Sequence, residues 1–434
     1  MPNWIQRAAS QIAALSAISS APPARAVPGM VAYHLQELQM TGPDLSTMPG
    51  WTTHPPGMRE LALTLEATLG DRMRLPRETF GLDGMQLGQS GAVREEVALD
   101  APFGRLLRFG MPGHRRNRVL LVAPMAGHGS AQLRETVAGL LPEFDVYVTD
   151  WRDARDVPLS EGGFGLDDYI DYLLRFIVHV GPGAHLMAIC QSCVPTLAAL
   201  SLLAEDQHPA QPVSLVMMAG PVDAAVSPSP VNDYATGASL SWFEQHLIST
   251  VPAGAAGAGR RVYGGAMQLI SAAGMEYRRR LAALSSSMFD PSRYLQAMME
   301  MGSAMPPQQP VLDLAAEFYL DNLRDVFQQC ALARGKLRHR GRPVRPEAVR
   351  GIALLTVEGA EDEICGAGQT AAAHALCSGI DDACKRHVAV DGAGHRDVFS
   401  GESWRTQVLP EVMKTLMVDA AGDSPAVRRR VRRA

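Results

Sequence analysis

One cysteine stands where reactive side chains are often displayed. Residues Ala184–Leu197 read AHLMAICQSCVPTL. An apolar run, His185–Ile189, ends at Cys190, and a helix-compatible run, Val194–Leu203, follows almost at once. A sharp strand-to-helix turn of this kind lifts its central side chain above the end of a sheet and is called a nucleophile elbow. The usual elbow reads G-x-S-x-G; here Ala188 and Ser192 flank the turn and the nucleophile is sulfur. A thiolate that attacks a carbonyl forms a thioester, so the chemistry expected is acyl transfer. The competing reading is a CxxC pair of Cys190 with Cys193, but no thioredoxin-like context surrounds it.

A cysteine nucleophile needs a base, and the base needs an orienting acid. In α/β-hydrolases these follow in the order nucleophile, acid, histidine. Six histidines follow Cys190: His208, His246, His339, His374, His387 and His395. His395 has the right setting, in a glycine-rich loop (Asp391-Gly392-Ala393-Gly394) just past the last strand. The acid should follow the strand before it. Ile352–Val357 is trailed by Glu358, Glu361, Asp362 and Glu363, among which loop length favours Asp362 and Glu361. An oxyanion hole would take one N–H from Gln191, after the nucleophile, and another from the loop Pro124–Gly129. Met125 or Ala126 supplies that second donor, and His128 is a candidate substrate contact.

The elements that must position these groups alternate along the chain. Val93–Phe109, on either side of Asp100–Gly104, reads as an antiparallel pair. Buried strands follow at Val119–Pro124, Phe144–Thr149, His185–Ile189, Val213–Ala219, Ile352–Val357 and His387–Val390, with helices at Gln132–Leu141, Leu166–Val180 and Val194–Leu203. Continuous apolar strands alternating with helices predict a mostly parallel sheet with helices on both faces, an α/β-hydrolase fold. Helices are also expected at Val31–Leu38 and Met58–Leu69. Between Pro221 and Val349 the strand rhythm stops. This stretch, with Trp242, Phe243, Tyr263, Tyr277, Phe289, Tyr294, Phe318 and Tyr319, reads as a mostly helical cap or lid. Its aromatics would form the cap's core or wall an apolar substrate. The domain plan is a disordered extension at 1–29, core at 30–220 and 350–420, an inserted cap at 221–349, and a basic disordered tail at 421–434.

Composition narrows the classes. The 434 residues carry a net charge of -5, which gives no general footprint for nucleic acid. The tail, Arg428–Arg430 with Arg432 and Arg433, is a basic cluster. Six cysteines do not form a secreted disulfide framework. No apolar run reaches the roughly 18 residues of a membrane span. Met1–Ala26 loosely imitates a signal peptide, but Gln11 and several serines interrupt its apolar part, so the expectation is a cytoplasmic protein.

Several long blocks in order resemble intracellular poly(3-hydroxybutyrate) (PHB) depolymerases. They include VAPMAGHG (122–129), AICQSCVPTLAA (188–199), AGPVDAAVSPSPVN (219–232), LLTVEGAEDEICGAGQTAAAH (354–374) and GHRDVFSGESW (394–404). The resemblance, over about Met30–Val418, implies a Cys–Asp–His triad of Cys190, Asp362 and His395, with Asp362 chosen because its Asp-Glu-Ile matches the family's Asp-Asp-Ile. It implies hydrolysis of amorphous polyester in bacterial storage granules, with the polymer or its oligomers as partner. No cofactor or metal is implied; water, or the thiol of coenzyme A, is the acyl acceptor. Ser192 stands where the family often has proline, and Arg396-Asp397 where Tyr-Gly is common. The alternatives are a polyester synthase, which resembles this chain in its Cys, Asp and His but has a glycine-rich elbow, and a non-catalytic granule-binding protein.

Overall fold

In a computed structural model, the structure describes residues 79–87, 91–113, 116–125, 130–265, 267, 268, 271 and 311–420. Eight strands form one sheet: β1 (Arg94–Ala101), β2 (Gly104–Gly110), β3 (Asn117–Val122), β4 (Phe144–Trp151), β5 (His185–Ile189), β6 (Ser214–Met218), β7 (Ala353–Gly359) and β8 (Lys385–Val390). Their order is β1-β2-β4-β3-β5-β6-β7-β8. β2 runs antiparallel to β1 and β4, and every pairing from β4 to β8 is parallel. This mostly parallel sheet, antiparallel only at β2, has the strand order and polarity of the α/β-hydrolase fold that the strand pattern predicts.

The apolar strands are buried on both faces because each face carries helices. Val119 and Leu121, Met187 and Ile189, Val216 and Met218, and Leu355 and Val357 lie at alternate positions and share one core. Leu133, Val137 and Leu140 of α1 (Ser130–Leu140) join that core, with Trp404. The opposite set, Leu120, Leu186, Leu215 and Leu354, is equally buried. On that side α2 (Leu166–Val180) and α3 (Cys193–Glu205) pack against each other. Residues Cys193–Leu203 of α3 are all buried, which explains why this stretch has no polar stripe.

The chain divides into two compact units. The sheet belongs to the unit of 78–236, 250–262 and 314–434; the other comprises 1–77, 237–249 and 263–313. Thus 221–236, 250–262 and 314–349, grouped by sequence with the cap, cluster with the sheet. Phe318, on the helix Ala316–Asn322, shows why: its ring is buried and stacks on Tyr169 of α2 at 5.0 Å between centroids, so it is core of the sheet's unit. Short strands at Ile248–Thr250, Arg261–Tyr263, Leu314–Ala315, Arg338–His339 and Arg342–Pro343 interrupt what was expected to be helical. In the other unit the helix Leu240–Leu247 is capped by Ser239, whose Oγ accepts the Trp242 N–H at 3.2 Å, and Trp242 stacks on His246. The expected helices at 31–38 and 58–69, the extension 1–29, the tail 421–434, and Tyr277, Phe289 and Tyr294 lie outside the described residues. No helix among the described residues is long and apolar enough to cross a membrane.

His185 opens β5 in the interior, with Nδ1 2.8 Å from Ser214 Oγ and its ring edge-on to Phe144. Burial pushes its pKa down from 6.5 to about 4. An unfolded chain therefore takes up this proton near pH 6.5, and the native chain only near 4. Between those values the unfolded state binds more protons, so stability falls as pH drops through that window. Chemical denaturation of His185→Gln from pH 7 to 4 should show a shallower loss than wild type; equal slopes would refute this account.

Candidate active site

The backbone turns sharply at Cys190. Ile189 is extended (φ −121, ψ 132), Cys190 has φ 54, and the short turn Cys190–Ser192 leads directly into α3. A left-handed backbone is unfavourable for a side-chain-bearing residue, and such strain concentrates at functional sites. The neighbouring chain makes room for it. A Cβ on Gly220, just past β6, would lie 2.2 Å from Cys193 Sγ and 2.9 Å from the Cys190 carbonyl oxygen. Only glycine lets that segment pass beneath the elbow.

Ser192, at the position where the common elbow has glycine, is fully buried with an ordinary right-handed backbone (φ −73, ψ −12). Its Oγ accepts the Ile189 N–H at 2.9 Å and lies 2.9 Å from the carbonyl oxygens of both Val122 and Ile189. Cys193 sits beneath, its Sγ 3.5 Å from the Ala188 carbonyl oxygen, and burial pushes its thiol well above the ordinary range. Cys190 and Cys193 are both free thiols. A buried thiol with so high a pKa is a poor redox partner, which leaves Cys193 as helix packing.

Two loops bring an acid and an imidazole to this turn. The loop after β7 and the loop after β8 are stitched together: Ala360 N–H donates to Val390 O and Glu361 N–H to Ala393 O, at 2.9 and 3.0 Å. Their crossing is so close that a Cβ on Gly359 would stand 2.4 Å from the Ala393 carbonyl oxygen. This fixes Asp362 against His395, with Nδ1 2.8 Å from Oδ2 and 3.0 Å from Oδ1. The Asp362 carboxylate also accepts the N–H groups of Ile364 and Cys365, both at 2.8 Å. The side chains of His395 and Asp362 are 6% and 1% exposed, so the pair works out of water. The His395 loop is held from behind by α1, where Thr136 Oγ1 donates to Phe399 O and Glu135 accepts the Gly401 N–H. Asp397 accepts the Gly394 N–H at 2.8 Å and braces the same loop.

Cys190 lies close enough to His395 for charge on its sulfur to act on the ring. Burial alone would depress the His395 pKa, but negative charge on Cys190 and the bond to Asp362 push it up to about 10. The arrangement therefore favours a proton on the ring while the sulfur carries charge. Chemically, it can present a thiolate and return a proton to a leaving group.

The remaining carboxylates and histidines have other work. Glu358 is buried and accepts the N–H groups of Gly368, Thr370 and Ala371. Glu363 reaches the His395 backbone N–H at 3.4 Å, and Glu361 is exposed. His374 and His387 both meet Thr356 Oγ1, at 2.7 and 2.9 Å. His339 bonds Asp171, His208 accepts the Ala210 N–H, and His246 meets the Trp242 carbonyl.

On the oxyanion side, Gln191 follows Cys190 in the turn and Met125 is buried three residues past the end of β3, the strand next to β5. Ala126 and His128 lie outside the described residues. A clamp that the sequence reading missed holds the chain before Met125. Ala123 N–H donates to Thr149 Oγ1 at 2.9 Å, and its carbonyl accepts Trp151 Nε1–H at 2.9 Å and Tyr169 O–H at 3.2 Å. Trp151 stacks on Tyr169 at 4.3 Å. The signal was in the sequence: a buried Trp or Tyr needs a polar partner, and Trp151 ends β4 while Tyr169 lies near the start of α2. Among the described residues no group of His, Cys, Asp and Glu is arranged to hold a metal ion.

Residues 219–420 match the family described as PHB de-polymerase C-terminus. No curated protein matches the chain. Solved structures similar to it include a carboxylesterase from Bacillus subtilis (12% identity, TM-score 0.37, covering 75% of this chain and 91% of that one). A monoacylglycerol lipase from Paleococcus ferrophilus is 14% identical (TM-score 0.39, 72% and 97%). The 2-hydroxy-6-oxo-6-phenylhexa-2,4-dienoate hydrolase of Rhodococcus sp. strain RHA1 is 13% identical (TM-score 0.41, 75% and 99%).

Two outcomes follow from the geometry. Cys190→Ala should lower the His395 pKa, because a charge that raises it is gone; ring NMR titration reads this, and an unmoved pKa would sever the two residues. Gly220→Ala should cost about 1–3 kcal/mol of stability through overpacking and reduce Cys190 alkylation, since the new methyl meets the elbow itself. Wild-type melting and alkylation would show that the elbow has slack.

Proposed function

We propose, from the premise that residues 219–420 are the C-terminal domain of a PHB depolymerase, that this ester hydrolase cleaves amorphous poly(3-hydroxybutyrate) through a thioester on Cys190. The observation that carries the reading is the buried His395, bonded to Asp362 beside the left-handed turn at Cys190, whose charge acts on the ring. Cys190 is the nucleophile, His395 the general base and then acid, and Asp362 the group that fixes the ring. Gln191 N–H, with Met125 or Ala126 N–H, forms the oxyanion hole.

The steps follow from these positions. The Cys190 proton passes to His395, and the sulfur attacks an ester carbonyl of the polymer. Charge gathers on the carbonyl oxygen, where fixed N–H donors stabilise it without reorganising. The tetrahedral intermediate collapses, the C–O bond breaks, and His395 gives its proton to the departing hydroxyl end. An acceptor then attacks the thioester: His395 takes its proton, the C–S bond breaks, and Cys190 is restored. Water releases a carboxylic acid, whereas the thiol of coenzyme A would release a hydroxyacyl thioester. Asp362 steadies the imidazolium in both halves. A thiol nucleophile works only when reduced, which suits granules inside the cytoplasm.

The enzyme is incubated with amorphous polyhydroxybutyrate granules, alone and with coenzyme A, and soluble products are identified by mass. Wild type should release 3-hydroxybutyrate or its oligomers, and Cys190→Ala should lose at least about 10³-fold in rate, the scale on which triad members act. Undiminished turnover in Cys190→Ala would remove the nucleophile. Polymer growth from a hydroxyacyl thioester, in place of polymer loss, would turn the reading towards a synthase.

A further inference from the structure

The backbone ladder between β3 and β5 has its last pair at Val122 opposite Ala188. Beyond that pair the two strands part. β3 runs on through Ala123 and Pro124 to Met125, and β5 turns through Cys190 to Gln191. The two proposed oxyanion donors therefore hang from different strands, past the end of the hydrogen bonds that join them. On the β3 side, Thr149, Trp151 and Tyr169 hold the Ala123 peptide at both ends. On the β5 side, Gly220 and Cys193 crowd the elbow from below. Neither set spans from one donor-bearing strand to the other.

Ser192 does. Its hydroxyl accepts the Ile189 N–H, one residue before the nucleophile, and reaches the Val122 carbonyl oxygen at the end of β3, both at 2.9 Å. The hydroxyl has one proton to give, and the Ile189 carbonyl oxygen, also 2.9 Å away, competes for it. The side chain is buried, so it does not touch substrate. Proline, glycine or alanine at this position could not make the link.

We infer that Ser192 is a positioning residue that sets the spacing of the two oxyanion donors by pinning the Cys190 turn to the end of β3. The inference rests on the proposed thioester mechanism. It requires that Ser192 acts on the oxygen of the intermediate and leaves the sulfur and its base alone. Removing the hydroxyl should therefore divide properties that ordinary loss of structure would lower together.

Ser192→Ala and Ser192→Gly are compared with wild type on a soluble p-nitrophenyl butyrate ester. The expected result is a 10- to 100-fold fall in kcat with KM within about twofold, the scale on which donor placement acts. A trifluoromethyl ketone, which forms an oxyanion on Cys190, should bind more weakly by a similar factor. Iodoacetamide alkylation of Cys190, which needs sulfur and base but no oxyanion hole, should change by no more than about twofold. An unaltered kcat would overturn the inference. So would a parallel fall in alkylation and ketone binding, the mark of general disorder at the turn. If Ser192→Ala does not fold, Ser192→Gly, which supplies the residue of the common elbow, is judged by the same split. The underlying mechanism is tested apart: if alkylating Cys190 of wild type leaves ester cleavage intact, the thioester reading fails, and this inference with it.

Discussion

The left-handed turn at Cys190 is the constraint that the rest of the site answers to. A residue with a side chain in that conformation costs about 1–2 kcal/mol relative to the right-handed one. The turn persists because its surroundings allow little else. β5 delivers the chain extended and buried, α3 begins three residues later, and Gly220 lies against the Cys190 carbonyl. Strain held by packing on every side becomes precision: the sulfur stands at one place, above the edge where the two later loops arrive.

Those loops explain why the acid cannot be chosen by spacing alone. Glu358, Glu361, Asp362 and Glu363 fall within six residues, and all are carboxylates. They separate only when backbone donors are counted. Glu358 is taken up by three N–H groups of the Gly368–Ala371 segment, while the turn at Asp362 offers it two N–H groups and His395 together. Long-range stitching between the loops decides the geometry, and it depends on residues such as Gly359 and Ala393, which are silent in a reading of charge. The motif resemblance singled out Asp362, and of these four carboxylates it is the one whose side chain bonds the His395 ring.

Where period and length speak, the sequence was legible. α2 and β5 have the bounds expected of them, since their apolar positions are clear and their ends are marked by Gly165, Gly181 and the cysteine turn. The stretch from Pro221 to Val349 was not. Its helix-compatible, methionine-rich composition suggested one inserted body, yet Phe318 serves the sheet's own core and Arg260 is spent on the carbonyls of Val157, Pro158 and Gly162. Burial against a distant element leaves no local period to read. The same is true of Ser192 and the Trp151–Tyr169 clamp, whose partners are far along the chain.

These hidden contacts matter because sulfur changes what an elbow needs. In the proposed mechanism, once the Cys190 proton has passed to His395 the pair holds separated charge, a state that the raised His395 pKa favours. Attack then moves negative charge from sulfur to the carbonyl oxygen. The catalytic advantage must come from making the second position better than the first, since binding both equally gains nothing in kcat. In that mechanism Asp362 and His395 stabilise the thiolate once formed, so on their own they oppose that transfer. The fixed donors on the other side must outweigh them, and their worth falls quickly with misplacement. In the proposed mechanism, the Ser192 hydroxyl, which bonds Ile189 and reaches the Val122 carbonyl at the end of β3, would strengthen the side of the site on which the reaction depends.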